Sequence, residues 1–365
     1  MFWSKDYIVE RLSKIPRTLE DISIEIFEGV PPASDLVYKA DLSKEHCTEA
    51  SSGCRNPQAR ISVEQVSMEK EVMYPYMDGS VLDEFSIHST QHQFMLPYEI
   101  LDYNIKKEYR IFQPDELKAR FPVVYKQLME VKQESGAEKQ EIESADCYRL
   151  EDESFLQYIK TPKIIITNNY RPHASYDVSG KYVFSGGIGV VLGDPTLYHY
   201  VTAVLNSSIA RALPEIWSRE KMQGNNRLNS KMIKRFPIEF PKKQITETLI
   251  STLCRYLIYL NRQKQAAKDY SIPYCQNLID FYRRIADLLI LDTYITADLD
   301  PKLLEVLAEN ITASGEEFEY SDDINLLIGL QAIKTNILDS ADFRKCRFNN
   351  EFTNVLATLK NNGIW

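Results

Sequence analysis

The chain has no long hydrophobic run. Its most apolar stretch near the C-terminus, Ile285 to Ile295, is interrupted by Asp287 and Asp292, whereas a membrane helix needs about 20 consecutive apolar residues. No membrane span is expected. The opening MFWSKDYIVERL has no apolar core followed by small residues, so a secretory signal is not expected either. Paired cysteines are missing too. Cys47, Cys54, Cys147, Cys254, Cys275 and Cys346 include no C-x-x-C spacing. His46, Cys47 and Cys54 lie close in sequence but have no fourth ligand at zinc-like spacing. Scattered thiols suit a reducing compartment, and a cytoplasmic location is the expectation. Basic charge is also short: 43 Lys and Arg stand against 52 Asp and Glu, a formal net charge of −9. That balance argues against a surface that is basic throughout, but phosphate is met by a local patch and not by the sum.

The usual catalytic signatures are absent. Gly186-Gly187-Ile188-Gly189 is followed by Val190 and Val191, which are strand formers, and no Walker-type lysine follows. A phosphate-binding glycine loop leads into a helix, so a glycine turn between strands is expected here. Asn168-Asn169-Tyr170 lacks both prolines of the Asn-Pro-Pro-Tyr loop of amino-methyltransferases, and no glycine-rich strand turn for S-adenosylmethionine precedes it. His88 and His92 lack the glutamate of a zincin motif and fall in an expected strand, where that spacing does not align two rings as it does on a helix. No G-x-S-x-G elbow occurs. Nothing in the sequence points to catalysis by this chain alone.

What is present is a sequence of short elements followed by long helices. Residues 5–15 have helical apolar spacing, ended by Pro16; Leu19, Ile22, Ile24 and Ile26 read as a strand, and 29–32 as a turn. Residues 43–60 are polar and turn-rich, and read as a loop. PDELKARFPVVYKQLMEVKQ reads as a helix through Leu117, Phe121, Val124 and Leu128. The acidic stretch 131–154 reads as a solvated loop or a frayed helix end. Lys163 to Thr167, Lys181 to Phe184 and Ile188 to Leu192 are expected strands, with Asp177 to Gly180 as a turn. LYHYVTAVLNSSIARALPEI reads as one helix. After Pro241 the apolar spacing becomes helical throughout, which places a boundary near residue 242.

Charge is segregated along the chain. Between 219 and 243 lie Arg219, Lys221, Arg227, Lys231, Lys234, Arg235, Lys242 and Lys243, against only Glu220 and Glu239. Gln223, Asn225, Asn226 and Asn229 are interleaved with them. Lysine neutralises phosphates, while Arg, Asn and Gln can make paired hydrogen bonds to guanine and adenine edges. A solvated polar loop is the competing reading of the same run. A second polar cluster, Asn168, Asn169, Tyr170, Arg171 and His173, falls at a strand end.

The order of these features resembles a known family. TPKIIITNNYRPHASYDVSGKYVFSGGIGVVL, then a helix containing Leu205-Asn206-Ser207, then QGNNRLNSKMIKRFPIEFP, is similar to the TaqI-like C-terminal specificity domain of type II and type IIG adenine methyltransferases. LEDISIEIFEGVPPASDLVY, MYPYMDGSVLDEF and PDELKARFPVVYKQLMEVKQ resemble that family's opening strand and loop, its proline–glycine element and its central helix. DYIVERLSKIPR is similar to the connector that precedes the domain in fused enzymes. The resemblance implies an α+β fold: residues 1–18 form a connector helix, and residues 19–242 a mixed α/β target-recognition domain with irregular strands. An all-helical C-terminal region then occupies 243–365. It implies sequence-specific recognition of double-stranded DNA for a restriction–modification system, oriented for a methyltransferase subunit or domain that flips out an adenine. S-adenosylmethionine is expected on that partner and no cofactor on this chain. Lys221, Gln223, Asn225, Asn226, Arg227, Asn229 and Lys231 are the first candidate DNA contacts, with Arg219 and Lys234 beside them and Arg171, His173 and Lys181 next. A type I-like specificity subunit usually carries two similar halves, and no second copy is found. A protein-interaction module that works through its acidic surface is the other alternative.

Overall fold

The computed structural model describes residues 10–31, 38–42, 59–61, 69–78, 82–87, 92–101, 105–134, 144–168, 172–212, 228–267, 272–295, 299–311, 318, 321 and 323–345. They form a mixed α/β fold followed by a helical C-terminal region. Eleven strands are present among them. A four-stranded antiparallel sheet has the order β1 (Ser23–Glu28), β11 (Gly187–Leu192), β8 (Lys163–Thr167), β9 (Ala174–Asp177). A five-stranded mixed sheet has the order β10 (Val183–Ser185), β4 (Met73–Asp78), β5 (His92–Met95), β2 (Lys39–Leu42), β3 (Ala59–Ile61). β6 (Tyr98–Leu101) and β7 (Glu108–Ile111) pair as an antiparallel ribbon.

The four-stranded sheet is the middle layer, which explains its composition. Alternate residues of a strand face opposite sides. Ile26, Ile164, Ile166, Ile188, Val190 and Leu192 join a core shared with the C-terminal helices. Phe27, Ile165 and Val191 join a second core with the five-stranded sheet. Both faces are buried, so β8 and β11 read as continuous apolar runs instead of alternating ones. The expected glycine turn is present: Gly186, with φ +61°, swings the chain from β10 in one sheet into β11 in the other. Gly189 is needed for packing, since a Cβ there would lie 2.6 Å from Phe27 Cζ.

On the helical side, α4 (Tyr198–Leu205) packs against the sheet, and α6 (Gln244–Ala266) and α7 (Ile272–Ile295) pack over it. The hydrophobic core passes through residue 242 without interruption, because Phe236 and Ile238 share it with Leu249, Leu253 and Leu257. α8 (Pro301–Asn310) and α9 (Ile324–Asp339) complete this half. Among the described residues no helix is long and apolar enough to cross a membrane.

Four local expectations are corrected. Leu19–Ile22 is a helical turn, α1, and not the start of the strand; Thr18 and Asp21 form a reciprocal cap around it, and β1 begins at Ser23. The expected helix from Pro114 is two helices, α2 (Pro114–Arg120) and α3 (Pro122–Glu134). Phe121 between them has φ −135° and ψ 64°, since the residue before a proline is pushed out of the helical region. The acidic 131–154 stretch is not solvated throughout. Its later part forms the 3-10 turn Ala145–Tyr148, and Tyr148 and Leu150 are core residues. Finally, the helix expected through 213 breaks after Leu205 and resumes at 208–212.

Candidate nucleic-acid interface

Strand direction decides which residues share one end of the middle sheet. β1 and β8 are both antiparallel to β11, so they run the same way. The Glu28 end of β1, the Thr167 end of β8 and the start of β11 at Gly187 therefore emerge together. The chain re-enters β9 at that end as well: Thr167 N–H donates to the His173 carbonyl (2.9 Å), and His173 N–H donates to Thr167 Oγ1 (3.0 Å). The segment beginning at Leu228 docks there too. Leu228 N–H donates to the Asn168 carbonyl (3.0 Å), and the Ser230 hydroxyl donates to Glu28 Oε1 (3.1 Å). The described ends of the two polar segments singled out in the sequence, Asn168 and Leu228–Ser230, thus meet at one end of one sheet.

Their described members are held differently. Asn229 caps the short helix α5 (Ser230–Lys234), its side-chain oxygen accepting from Met232 N–H (3.0 Å). Lys231 is exposed on that helix, and Lys234 lies 3.6 Å from Glu20. His173 Nδ1 is 3.1 Å from the Leu82 carbonyl. A carbonyl only accepts, so Nδ1 is the donor in that bond, and Nε2 lies 3.9 Å from Glu84. Lys181 is not brought to this end. It follows the Asp177–Gly180 turn, which meets the opposite end of β8 through the Lys160 N–H bond to the Gly180 carbonyl. Arg171, Arg219, Lys221, Gln223, Asn225, Asn226 and Arg227 lie outside the described residues. So do His46, Cys47 and Cys54. Among the described residues no three His, Cys, Asp or Glu side chains gather as a metal site.

Beside this end sits a charged network that the sequence did not reveal. Glu84 receives Arg211 at 3.0 Å and Arg283 at 3.2 Å, in addition to His173. With Arg284, Asn206 and Phe85, the two arginines line a cavity of about 210 Å³. Phe85 has φ +64°, a left-handed conformation that costs a bulky residue energy; its N–H donates to the Ala174 carbonyl, which fixes the turn that presents Glu84. Glu84, Arg211 and Arg283 are far apart in sequence and carry no motif.

The residues that carried the family resemblance are structural supports: Asn206 of this end of the sheet, Lys163 and Asp177 of the opposite one. Lys163 is buried on β8 and donates to Asp177 Oδ2 (3.0 Å) and to the Gly180 carbonyl (2.7 Å), so strand and turn are locked together. Asn206, in the helix break, accepts from Ala174 N–H (2.9 Å) and donates to the Ala174 carbonyl (2.7 Å), which pairs a helix end with the edge of β9. Ser208 N–H and its hydroxyl donate to Asp287 Oδ1 of α7 (2.8 and 2.9 Å).

Among solved structures, the chain is similar to the type IIL restriction–modification enzyme MmeI in complex with DNA, with a TM-score of 0.43 and 11% sequence identity over 88% of this chain. The chain spans 37% of the length of MmeI. No protein-family model matches the chain, and no curated protein matches it in sequence.

Proposed function

We propose that this chain is the sequence-reading part of a restriction–modification adenine methyltransferase. It binds double-stranded DNA and positions a methyltransferase, a separate subunit or a fused domain, on its target adenine; S-adenosylmethionine belongs to that partner. One observation carries the reading. The hydrogen bond from Leu228 to Asn168 joins the ends of two polar segments, distant in sequence, at the same edge of the middle sheet. On this reading, side chains able to read base edges and side chains able to neutralise phosphates act from one surface, as base readout requires. The motif residue Asn206 braces that end through both of its bonds to Ala174. The roles divide by chemistry: Lys221 and Lys231 hold phosphates, while Gln223, Asn225, Asn226 and Arg227 read bases.

The test is selection from a random duplex library, with and without the methyltransferase. A defined short site should be enriched. Lys221→Ala and Lys231→Ala should weaken binding to every sequence, each lowering the slope of log K against log[salt] by about 0.9. Asn225→Ala or Asn226→Ala should instead relax preference at single positions, by about 1–3 kcal/mol of discrimination. No enrichment in either condition overturns the proposal.

A further inference from the structure

The described half of the basic run does not stop at the reading surface. Residues 17–19 and 236–238 lie side by side: Leu19 N–H donates to the Phe236 carbonyl (2.8 Å) and Ile238 N–H to the Arg17 carbonyl (2.9 Å). This pairing leads the chain from exposed Lys231 and Arg235 to exposed Lys242 and Lys243. There, residues 239–243 form one wall of an open cleft of about 370 Å³, and Arg11 and Lys14 line it from the other side. Arg17, also exposed, lies over the Phe240 ring at 5.1 Å, which holds the two walls in register.

The charge is concentrated. Residues 228–243 carry Lys231, Lys234, Arg235, Lys242 and Lys243 against Glu239, and residues 10–18 carry Arg11, Lys14 and Arg17 against Glu10. From other elements Glu20 faces Lys234, and Asp292 lines the cleft. Asp292 is partly used by the Leu299 N–H, and the Lys14–Glu10 pair is exposed on both sides, a geometry worth little in water. In a chain of net charge −9, this strip is positive. One helical turn and the residues after it could reach at most on the order of 30 Å if fully extended, which is about the axial rise of nine base pairs of duplex.

We propose that the cleft between residues 11–17 and 239–243 binds the phosphate backbone of DNA flanking the recognised site. The inference rests on the DNA-reading function proposed above and adds a second, sequence-independent contact to it. A narrow line of point charges fits a phosphate ladder; the cleft presents few groups that read base edges.

The test uses the full chain carrying Arg11→Gln, Lys14→Gln, Lys242→Gln and Lys243→Gln together, with Lys126→Gln/Lys302→Gln as a charge control on exposed helix positions. Three duplexes are titrated over a range of salt: the library-selected site with short flanks, the same site extended by about ten base pairs on each side (a full turn of duplex), and a long duplex of random sequence. The quadruple variant should bind both long duplexes at least tenfold more weakly and lower their salt slopes by about 3.6. The short duplex and the ratio of selected to random binding should stay as in the unmodified chain. Unchanged affinity and slope on the long duplexes would overturn the inference while leaving the reading function intact. Loss of co-purification with the methyltransferase at unchanged DNA binding would overturn it as well, and would make the cleft a protein-docking surface. If the unmodified chain binds DNA without sequence preference and the quadruple variant still loses affinity and slope, the reading function fails and the cleft stands.

Discussion

Lys163 shows how little a residue type alone reveals. It begins a run of isoleucines on a strand buried on both faces, and its side chain is 3% exposed. A buried ammonium is tolerated only when it is paired and hydrogen-bonded, and here it meets Asp177 at 3.0 Å and two carbonyls, those of Gly180 and Thr161. Asp177 is satisfied in turn by the Ser179 hydroxyl and the Tyr182 N–H. The pair therefore closes the turn that sets the spacing between β9 and β10. Lys163→Met removes one charge and leaves the other buried, a change that costs about 3–5 kcal/mol. The double variant Lys163→Met/Asp177→Asn removes both charges while keeping an amide oxygen for the Tyr182 N–H and an amide N–H toward the Ser179 hydroxyl, and should recover a large part of that loss. Urea unfolding of the single and double variants checks this; equal stability of the two would show that the ion pair is not what holds the turn.

At the scale of elements, the sequence made strand and helix types legible wherever one period dominated: β8, β11, α6 and α7 follow from their apolar patterns. Boundaries were less visible because single residues set them. The break at Phe121 follows from Pro122, whose effect on the preceding residue competes with an unbroken helical period through Leu117, Val124 and Leu128. The turn at Leu19–Ile22 depends on the Thr18–Asp21 cap, which the alternation of isoleucines concealed. The break at Asn206 had no local cause at all, since its reason lies across the fold at Ala174. The same holds for the site: charge patterning found the polar segments, but only strand direction shows that Asn168 and Leu228 meet, and nothing in the sequence marks Glu84. Asn206 gives a direct test. Asn206→Leu takes the side-chain partner from the buried N–H of Ala174, at about 1–3 kcal/mol, while the Ala174 carbonyl keeps the Phe85 N–H. It should lower the unfolding midpoint and raise amide exchange selectively at β9 and in the 82–87 turn, because Phe85 N–H also bonds to Ala174. Uniform exchange throughout the middle sheet would contradict a local tie.

At the scale of the whole molecule, each of the two cores is tied together by tyrosine hydroxyls that donate to backbone carbonyls. Tyr38 donates to Tyr148 and Tyr148 to Phe112 in the core on the five-stranded side; Tyr200 donates to Glu239, Tyr282 to Leu330 and Tyr294 to Pro237 in the helical core. A tyrosinate cannot donate, and burial raises the pKa of all five well above the ordinary tyrosine value. The sign of the linkage follows. The unfolded chain loses these protons near pH 10, whereas the folded chain keeps them to higher pH, so stability is fully present below about pH 10 and falls as pH rises from there toward the folded values. Each tyrosine contributes a slope of up to about 1.4 kcal/mol per pH unit in that window. Five acting together exceed the stability of an ordinary domain within one or two pH units. Because the middle sheet lines both cores, the two halves should fail together. In an alkaline titration, far-ultraviolet circular dichroism and tyrosinate absorbance should change in one coincident step above pH 10, and the conservative variant Tyr148→Phe should make that step shallower. A gradual rise of tyrosinate absorbance with circular dichroism unchanged would show that these hydroxyls titrate in the folded state and do not tie the cores together.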